Sequence, residues 1–192
     1  PAYSATLSGN PEYDSNTFRY SYTSLNRPTT LYEYDIATET IVKLKEQEVP
    51  SGFNPEDYTV ERIWATAKDG VEVPMALVYK KGLKKDGTNP ALIYSYGSYG
   101  MSSDVYFSTS IYSLIDRGFV YAIAQIRGGS DLGEQWYEDG KLLNKKNSFT
   151  DFVSCSEKLI NDGYTSSDKL AAMGGSAGGL LMGAVANSRP DL

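Results

Sequence analysis

Residues 169–187 read Lys-Leu-Ala-Ala-Met, then Gly-Gly-Ser-Ala-Gly-Gly, then Leu-Leu-Met-Gly-Ala-Val-Ala-Asn, and this stretch decides the fold. The pattern predicts a short strand, a sharp glycine-rich turn and a helix over about 177–187 that Pro190 ends. Residues 174–178 match G-x-S-x-G, the motif in which a serine on a strand-to-helix turn projects its hydroxyl above a sheet. Ser176 is therefore the candidate nucleophile, and the backbone N–H of Ala177 is a candidate oxyanion donor.

Two other interpretations of this stretch stay open. A strand, a glycine-rich loop and a helix also form phosphate-binding turns or purely structural ones. A P-loop ends in Gly-Lys-Ser/Thr, which is absent here, and a dinucleotide-binding fingerprint has glycine where Ser176 stands. Asp191 also follows too soon to bind a ribose. The pattern therefore favours a nucleophilic role for Ser176 over a phosphate-binding turn and over a purely structural turn.

Strand and helix patterns alternate upstream of this stretch, from residue 90 onward. Residues 91–96 and 119–126 are nearly continuous apolar runs, typical of strands covered on both faces, and predict parallel pairing. Helical patterns cover 107–117 and a segment that begins near Ser148, where the spacing resembles a capping box. These alternations predict an α/β fold of the doubly wound kind.

A hairpin and an antiparallel meander precede the alternating part. Residues 58–67 and 71–80 flank Asp69-Gly70, a pair typical of a tight hairpin turn. Residues 1–50 carry three short alternating runs, at 18–22, 31–34 and 41–44, spaced as in sandwiches or propeller blades. Three such strands cannot bury a core alone. Two prolines and a glycine within 50–55 predict a domain boundary, which gives a first domain at 1–50 and a second at 51–192.

Composition excludes several classes of function. The 192 residues have 41% hydrophobic content and a net charge of −6, without a Lys/Arg stripe, so nucleic acid is not expected as a partner. The apolar runs are shorter than the ~20 residues that span a bilayer, so no membrane partner is expected. The single cysteine, Cys155, forms no intrachain disulfide and is expected to be a small buried apolar residue. We expect a cytoplasmic protein, with the periplasm as the alternative.

Histidine is absent from the chain. This removes the commonest metal ligand and the commonest general base at neutral pH, so any Ser/His/Asp triad is incomplete within these residues. We expect no metal site and no cofactor.

A second glycine-rich loop follows the strand predicted at 91–96. It reads Tyr-Ser-Tyr-Gly-Ser-Tyr-Gly at 94–100, where an α/β-hydrolase places its second oxyanion donor. A tyrosine hydroxyl can act as that donor, which makes Tyr96 a candidate. The chain has 16 tyrosines, however, and packing is the ordinary role of any one of them.

Several motifs together resemble the prolyl oligopeptidase family of serine peptidases, and most closely its oligopeptidase B branch. The resemblance runs from about residue 50 to the end of the chain. Residues 1–50 match more loosely and resemble the final blade of the family's β-propeller. Its motifs lie at 127–143, 147–152, 163–166, 174–179 and 189–192. Their order and spacing make the resemblance far more specific than G-x-S-x-G alone.

The resemblance implies an α/β-hydrolase domain capped by a β-propeller that admits short peptides, with cleavage after Arg or Lys. It places Ser176 on the nucleophile, Tyr96 on the oxyanion-hole tyrosine and Tyr99 on an aromatic residue that lines the primary specificity pocket. Asp104 falls in a loop whose acidic residues are linked to basic substrates. The implied partners are short peptides with basic residues.

One departure from the family concerns the other triad members. In the family the triad Asp and His follow the serine, whereas only 16 residues follow Ser176 here. We therefore expect an internal fragment that contains the end of the propeller, the N-terminal half of the hydrolase sheet and the nucleophile elbow. Alternative functions are a prolyl-specific oligopeptidase, an esterase or aminopeptidase on the same fold, and a non-catalytic propeller/hydrolase binding protein.

Overall fold

The computed structural model describes residues 2–192, whose first part is a four-stranded antiparallel meander. Its strands, in spatial as well as chain order, are β1 (Tyr3–Leu7), β2 (Thr17–Ser24), β3 (Arg27–Asp35) and β4 (Thr40–Glu46). Cross-strand aromatic pairs join them, among them Tyr3 with Tyr22 and Tyr20 with Tyr32, each with ring centroids 5.4 Å apart. Only three strands were predicted from the sequence; β1 was missed, although Tyr3, Ala5 and Leu7 alternate with Ser4 and Thr6 in the pattern of a strand.

The second sheet contains five strands and is mixed. They are β5 (Tyr58–Thr66), β6 (Glu72–Lys80), β7 (Ala91–Tyr94), β8 (Val120–Ala124) and β9 (Leu170–Met173), in the spatial order β5-β6-β8-β7-β9. Strands β5, β6 and β8 pair antiparallel, whereas β7 pairs parallel with both β8 and β9. The predicted hairpin and the predicted parallel pairing are therefore confirmed.

Residues 2–192 form four α-helices: α1 (Thr109–Ile115) between β7 and β8, α2 (Glu134–Glu138) and α3 (Lys146–Asn161) between β8 and β9, and α4 (Ala177–Ser188) after β9. Two 3₁₀ turns lie at Pro55–Asp57 and Leu142–Asn144. The capping box predicted at Ser148 is wrong, because α3 begins two residues earlier and encloses Ser148. The buried Ser148 hydroxyl instead donates to the carbonyl oxygen of Arg127 at 2.6 Å.

Apolar side chains cover both faces of the second sheet. Helices α3 and α4 pack on one face, where the buried side chains include Met75, Leu77, Ile93, Phe152 and Leu181. Cys155 is fully buried in this core, as expected, and burial raises the pKa of its thiol. Helix α1 packs on the other face, where Leu25, from the turn between β2 and β3, also contributes to the core.

The two sheets are joined by specific contacts. The Tyr112 hydroxyl donates to the carbonyl oxygen of Leu25 at 2.6 Å, and the Phe107 N–H donates to the Thr23 hydroxyl at 3.0 Å. The predicted boundary at 50–55 lies between the last strand of the first sheet and the first strand of the second, and it stays a prediction. No helix within residues 2–192 is long and apolar enough to cross a membrane.

Candidate active site

Ser176 occupies a strained turn between β9 and α4. Its φ of 54° and ψ of −117° lie in a region that residues with a side chain rarely adopt. A Cβ on Gly174 would lie 2.5 Å from the carbonyl oxygen of Gly178, so the turn closes only with glycine at 174. A Cβ on Gly175 would meet nothing within 4 Å. The strain and the close approach together place the exposed Ser176 at the tip of this strand-to-helix turn.

A backbone donor stands beside Ser176. The N–H groups of Gly178 and Gly179 donate to the carbonyl oxygens of Gly175 and Ser176, at 2.8 and 2.9 Å. No hydrogen bond among residues 2–192 uses the N–H of Ala177, the first residue of α4. The Ala177 N–H, at the positive end of the helix dipole, is therefore available to a developing negative charge.

Tyr96 lies at the same edge of the sheet as Ser176. Strands β7 and β9 are parallel neighbours with Tyr94 opposite Met173, and their carboxyl ends lead directly to Tyr96 and Ser176. A Cβ on Gly178 would lie 3.6 Å from the Cα atom and 3.7 Å from the Cδ2 atom of Tyr96. The first turn of α4 and the Tyr96 loop are thus in direct contact, which brings the two predicted oxyanion donors to one edge of the sheet.

A cavity of about 560 Å³ opens beside this edge. Tyr96, Met173 and Asp104 line it, together with the serines at 102 and 103 and the aromatic residues Tyr94, Tyr106 and Tyr121. Asp104 is exposed and forms no ion pair with any of residues 2–192. The structure therefore brings two of the predicted site residues, Tyr96 and Asp104, to one cavity.

Tyr99 lies outside this cavity, as does Ser176. Its side chain is 75% exposed and its φ is 58°, a left-handed conformation within the glycine-rich loop. The role in a specificity pocket that the family resemblance implied for Tyr99 stays a prediction.

Asp131 is a partly buried residue beneath the Asp104 loop that sequence reasoning missed. Its Oδ1 accepts a hydrogen bond from the Ser103 N–H at 2.8 Å, while its buried Oδ2 has no partner among residues 2–192. Burial, together with the charge of Asp104, raises the pKa of Asp131 to about 6. No local pattern predicts this burial, since Asp131 belongs to an acidic run of the kind that is usually solvated.

Arg127, which follows β8, anchors the neighbouring loop. Its guanidinium donates to both carboxylate oxygens of Asp151, at 2.9 and 2.6 Å, and to Asp69 at 2.7 Å. These contacts raise the pKa of Arg127 and lower the pKa of Asp69. Arg127 and Asp151 are both buried, so this bidentate pair ties the β8 loop to α3.

Two family models match the chain. The model described as the prolyl oligopeptidase family matches residues 105–192, and the model of the prolyl oligopeptidase N-terminal beta-propeller domain matches residues 1–47. Together they match well over half of the chain. The chain belongs to the prolyl oligopeptidase family. The expected fold, antiparallel propeller strands followed by an α/β-hydrolase sheet with its elbow, is confirmed.

Individual members of the prolyl oligopeptidase family are similar over nearly the whole chain. Dipeptidyl aminopeptidase BI of Pseudoxanthomonas mexicana is 52% identical over 99% of the chain and 26% of its own length. Protease 2 of Moraxella lacunata is 42% identical over 100% of the chain and 28% of its own. Oligopeptidase B from Leishmania major has a solved structure that superimposes with a TM-score of 0.92 at 45% identity, over 100% of this chain and 27% of its own. The chain spans about a quarter of the length of these relatives.

Proposed function

We propose that the complete protein is a serine peptidase that cleaves short peptides through an acyl-enzyme intermediate. The observation that carries the proposal is the strained left-handed conformation of Ser176 at the start of α4, in contact with the Tyr96 loop through Gly178. Such strain persists only where the surrounding structure enforces it, and it is typical of functional sites. A simple packing turn would need no such strain at a serine.

The proposed reaction begins with attack of Ser176 Oγ on the carbonyl carbon of the scissile peptide bond. The serine proton passes to a general base, and the carbonyl oxygen becomes an oxyanion that the Ala177 N–H and the Tyr96 hydroxyl stabilise. Collapse of the intermediate transfers the proton to the leaving amine, and water then hydrolyses the acyl-enzyme. Since the 192 residues contain no histidine, the proposal requires a base from outside them.

Labelling of Ser176 tests this proposal against a non-catalytic binding protein on the same fold. The complete protein is incubated with a fluorophosphonate probe and the labelled residue is identified by mass spectrometry, with Ser176→Ala as the control. An activated serine reacts, because its base and oxyanion donors promote attack on phosphorus. A complete protein that remains unlabelled, although folded, would exclude the peptidase.

For the substrate, we propose peptides with Arg or Lys before the scissile bond. Asp104 supports this preference because it is an unpaired carboxylate in the cavity that Tyr96 also lines. The ring of Tyr99 can pack against a guanidinium group, which would add to the preference for arginine. Arginyl substrates should exceed neutral ones by 10²-fold or more in kcat/KM, a rough figure for a site whose carboxylate is left unpaired. Faster turnover of prolyl substrates would favour the prolyl-specific alternative instead.

A dipeptidyl aminopeptidase is the second candidate, because the relative that is 52% identical carries that name. Two matched arginyl reporter peptides separate the candidates, one with a free N-terminus and one with an acetylated N-terminus. An aminopeptidase requires the free amine, whereas an endopeptidase cleaves both peptides. An acyl-ester substrate in the same panel tests the esterase alternative.

A further inference from the structure

Lys145 joins the loop of Tyr96 to the start of α3. Its Nζ donates to the carbonyl oxygen of Gly97, to the Ser98 hydroxyl at 2.7 Å and to the Ser148 hydroxyl at 3.2 Å. Two of these three acceptors are on the loop that follows Tyr96. An ammonium group has three donors, so Lys145 uses its full capacity at this one place.

The charge of Lys145 has no counter-charge nearby. No carboxylate oxygen of residues 2–192 lies within ion-pair distance of its Nζ. The side chain is partly buried, and burial lowers the pKa of its amine. Partial burial of a cation without a counter-ion costs free energy that only the hydrogen bonds to neutral oxygens offset.

Stabilisation of α3 does not account for this arrangement. Lys145 is the residue that immediately precedes α3. The N-terminus of a helix carries a partial positive charge, so a cation there is unfavourable for the helix. The side chain also makes no capping hydrogen bond to α3. Two of the three contacts of Lys145 are with the Tyr96 loop and one is with Ser148 of α3, so the ammonium group links the loop to the helix without capping it.

The peptide that Lys145 holds is confined on its other sides. Gly97 has a φ of 63°, and a Cβ there would lie 2.5 Å from the side chain of Ile126. A Cβ on Gly128 would lie 2.1 Å from the carbonyl oxygen of Gly97, so this oxygen lies close against a second loop. On the opposite side the Tyr96 backbone faces Gly178 of the elbow. A shift of the Gly97 peptide would therefore move Tyr96 relative to Ser176.

We propose that Lys145 is a positioning residue, which holds the Gly97 carbonyl and the Ser98 side chain so that the Tyr96 hydroxyl is fixed toward the oxyanion before substrate binds. The inference rests on the proposed peptidase function and extends it, since Lys145 itself contacts neither Ser176 nor the cavity beside Tyr96. An oxyanion donor is effective only if it is already oriented when charge develops. The loss of Lys145 should therefore reduce the stabilisation of the transition state more than it reduces the affinity for the substrate.

The test compares Lys145→Met with Lys146→Met in the complete protein, using an arginyl reporter peptide. Met keeps most of the length of the lysine and removes its donors, and Lys146 is the exposed neighbour. We expect Lys145→Met to lower kcat by about 10- to 100-fold with KM changed less than about twofold, and Lys146→Met to leave both unchanged. A rise in KM with unchanged kcat would overturn the inference.

A double-mutant cycle with Tyr96→Phe separates positioning from a general structural effect. If Lys145 acts through the Tyr96 hydroxyl, Tyr96→Phe should cost clearly less in kcat in the Lys145→Met protein than in the wild type. Equal costs in both backgrounds would overturn the inference. If Lys145→Met does not fold, Ser98→Ala removes one acceptor of the ammonium with a smaller change, and it should give a kcat lowered about 3- to 10-fold and the same non-additivity.

Fluorophosphonate labelling distinguishes the two possible failures. An unlabelled wild-type Ser176 would refute the peptidase proposal itself. A labelled wild type whose Lys145→Met variant behaves like Lys146→Met would refute only the positioning role.

Discussion

Gly178 is the residue at which the elbow and the Tyr96 loop meet. A Cβ there would lie 2.9 Å from the carbonyl oxygen of Ser95, a backbone atom that cannot swing aside. At Gly179, one residue on in the same helix, the nearest atom would be 3.9 Å away. An alanine at position 178 therefore meets a steric conflict, whereas an alanine at position 179 does not, so the second substitution is a control for the first.

We predict that Gly178→Ala lowers the free energy of unfolding by about 1–3 kcal/mol and reduces kcat, because β7 and α4 must move apart. Gly179→Ala should leave activity unchanged and raise stability by up to about 1 kcal/mol, since alanine is the better helix former. Thermal unfolding and turnover of both variants of the complete protein provide the measurements. Equal stability and equal turnover of the two variants would show that the structure accommodates a Cβ atom beside the Ser95 carbonyl oxygen.

Asp131 leads to a prediction about pH. The pKa of Asp131 is raised to about 6 from the ordinary value of about 4 for an aspartate, so the folded protein keeps a proton that the unfolded chain releases above about pH 4. The contribution of Asp131 to stability is thus complete below pH 4, is lost as pH rises from about 4 to 6, and stays lost above that. Asp131→Asn should remove this loss, which is about 3 kcal/mol at about 1.4 kcal/mol per pKa unit. Melting temperatures across pH 4–7, with the exposed Glu134→Gln as control, test it; parallel curves for wild type and Asp131→Asn would contradict it.

At the scale of secondary-structure elements, the Arg127 side chain connects the β8 loop to α3 and to the turn between β5 and β6. Its two carboxylate partners differ in environment: the Asp151 side chain is 0% exposed, whereas that of Asp69 is 47% exposed. The loss of a buried partner leaves an uncompensated charge in the interior, while an exposed ion pair contributes little.

We predict that Asp151→Asn destabilises the protein by about 3–5 kcal/mol and that Asp69→Asn costs about 1 kcal/mol or less. Both substitutions remove one negative charge with little change of shape, so each is the control for the other. Urea denaturation followed by tryptophan fluorescence measures both, because Trp136 is buried beside this loop and its indole N–H donates to the carbonyl oxygen of Gln125. A larger effect at Asp69 would show that burial does not decide the energetics of this network.

At the scale of the whole molecule, these 192 residues carry the proposed nucleophile and the two proposed oxyanion donors without any histidine. A serine hydroxyl without a positioned base is a weak nucleophile, and the loss of one triad member already removes most of the rate. The edge of the second sheet is also open: β9 pairs with β7 alone among residues 2–192, and Met173 and Leu180 are 42% and 60% exposed. Exposed strand edges favour association with other chains.

We therefore predict that the isolated 192-residue chain does not hydrolyse an arginyl reporter peptide, and that it self-associates in solution. Turnover measurements and analytical ultracentrifugation test the two parts. Turnover that Ser176→Ala abolishes would show that another base in these residues activates the serine. A monomer with a sharp, cooperative thermal transition would show that the chain is stable although the edge of β9 is unpaired.

Local sequence patterns predicted much of the fold and the centre of the site. The alternation of strands and helices after residue 90 follows from side-chain periodicity, and Ser176 follows from glycines spaced around a serine between a strand and a helix. Strand β1 was missed although its residues alternate, and it is held in place by pairing with β2. Helix α2 was missed because it is only five residues long and follows the positive-φ Gly133 inside an acidic run. Short elements of this kind are stabilised by neighbours distant in the chain.

The sequence by itself determined the α/β class, the strand-turn-helix unit and the candidate nucleophile, because each depends on residues within one or two turns of the chain. Only the tertiary structure decided which distant groups meet. It brings Gly178 against the Tyr96 loop, pairs Arg127 with Asp151, buries the Oδ2 atom of Asp131 and provides the three acceptors of the Lys145 ammonium group. Whether a charged side chain is exposed, paired or buried depends on what other segments bring beside it. That information is spread over residues far apart in the chain, and no local pattern contains it.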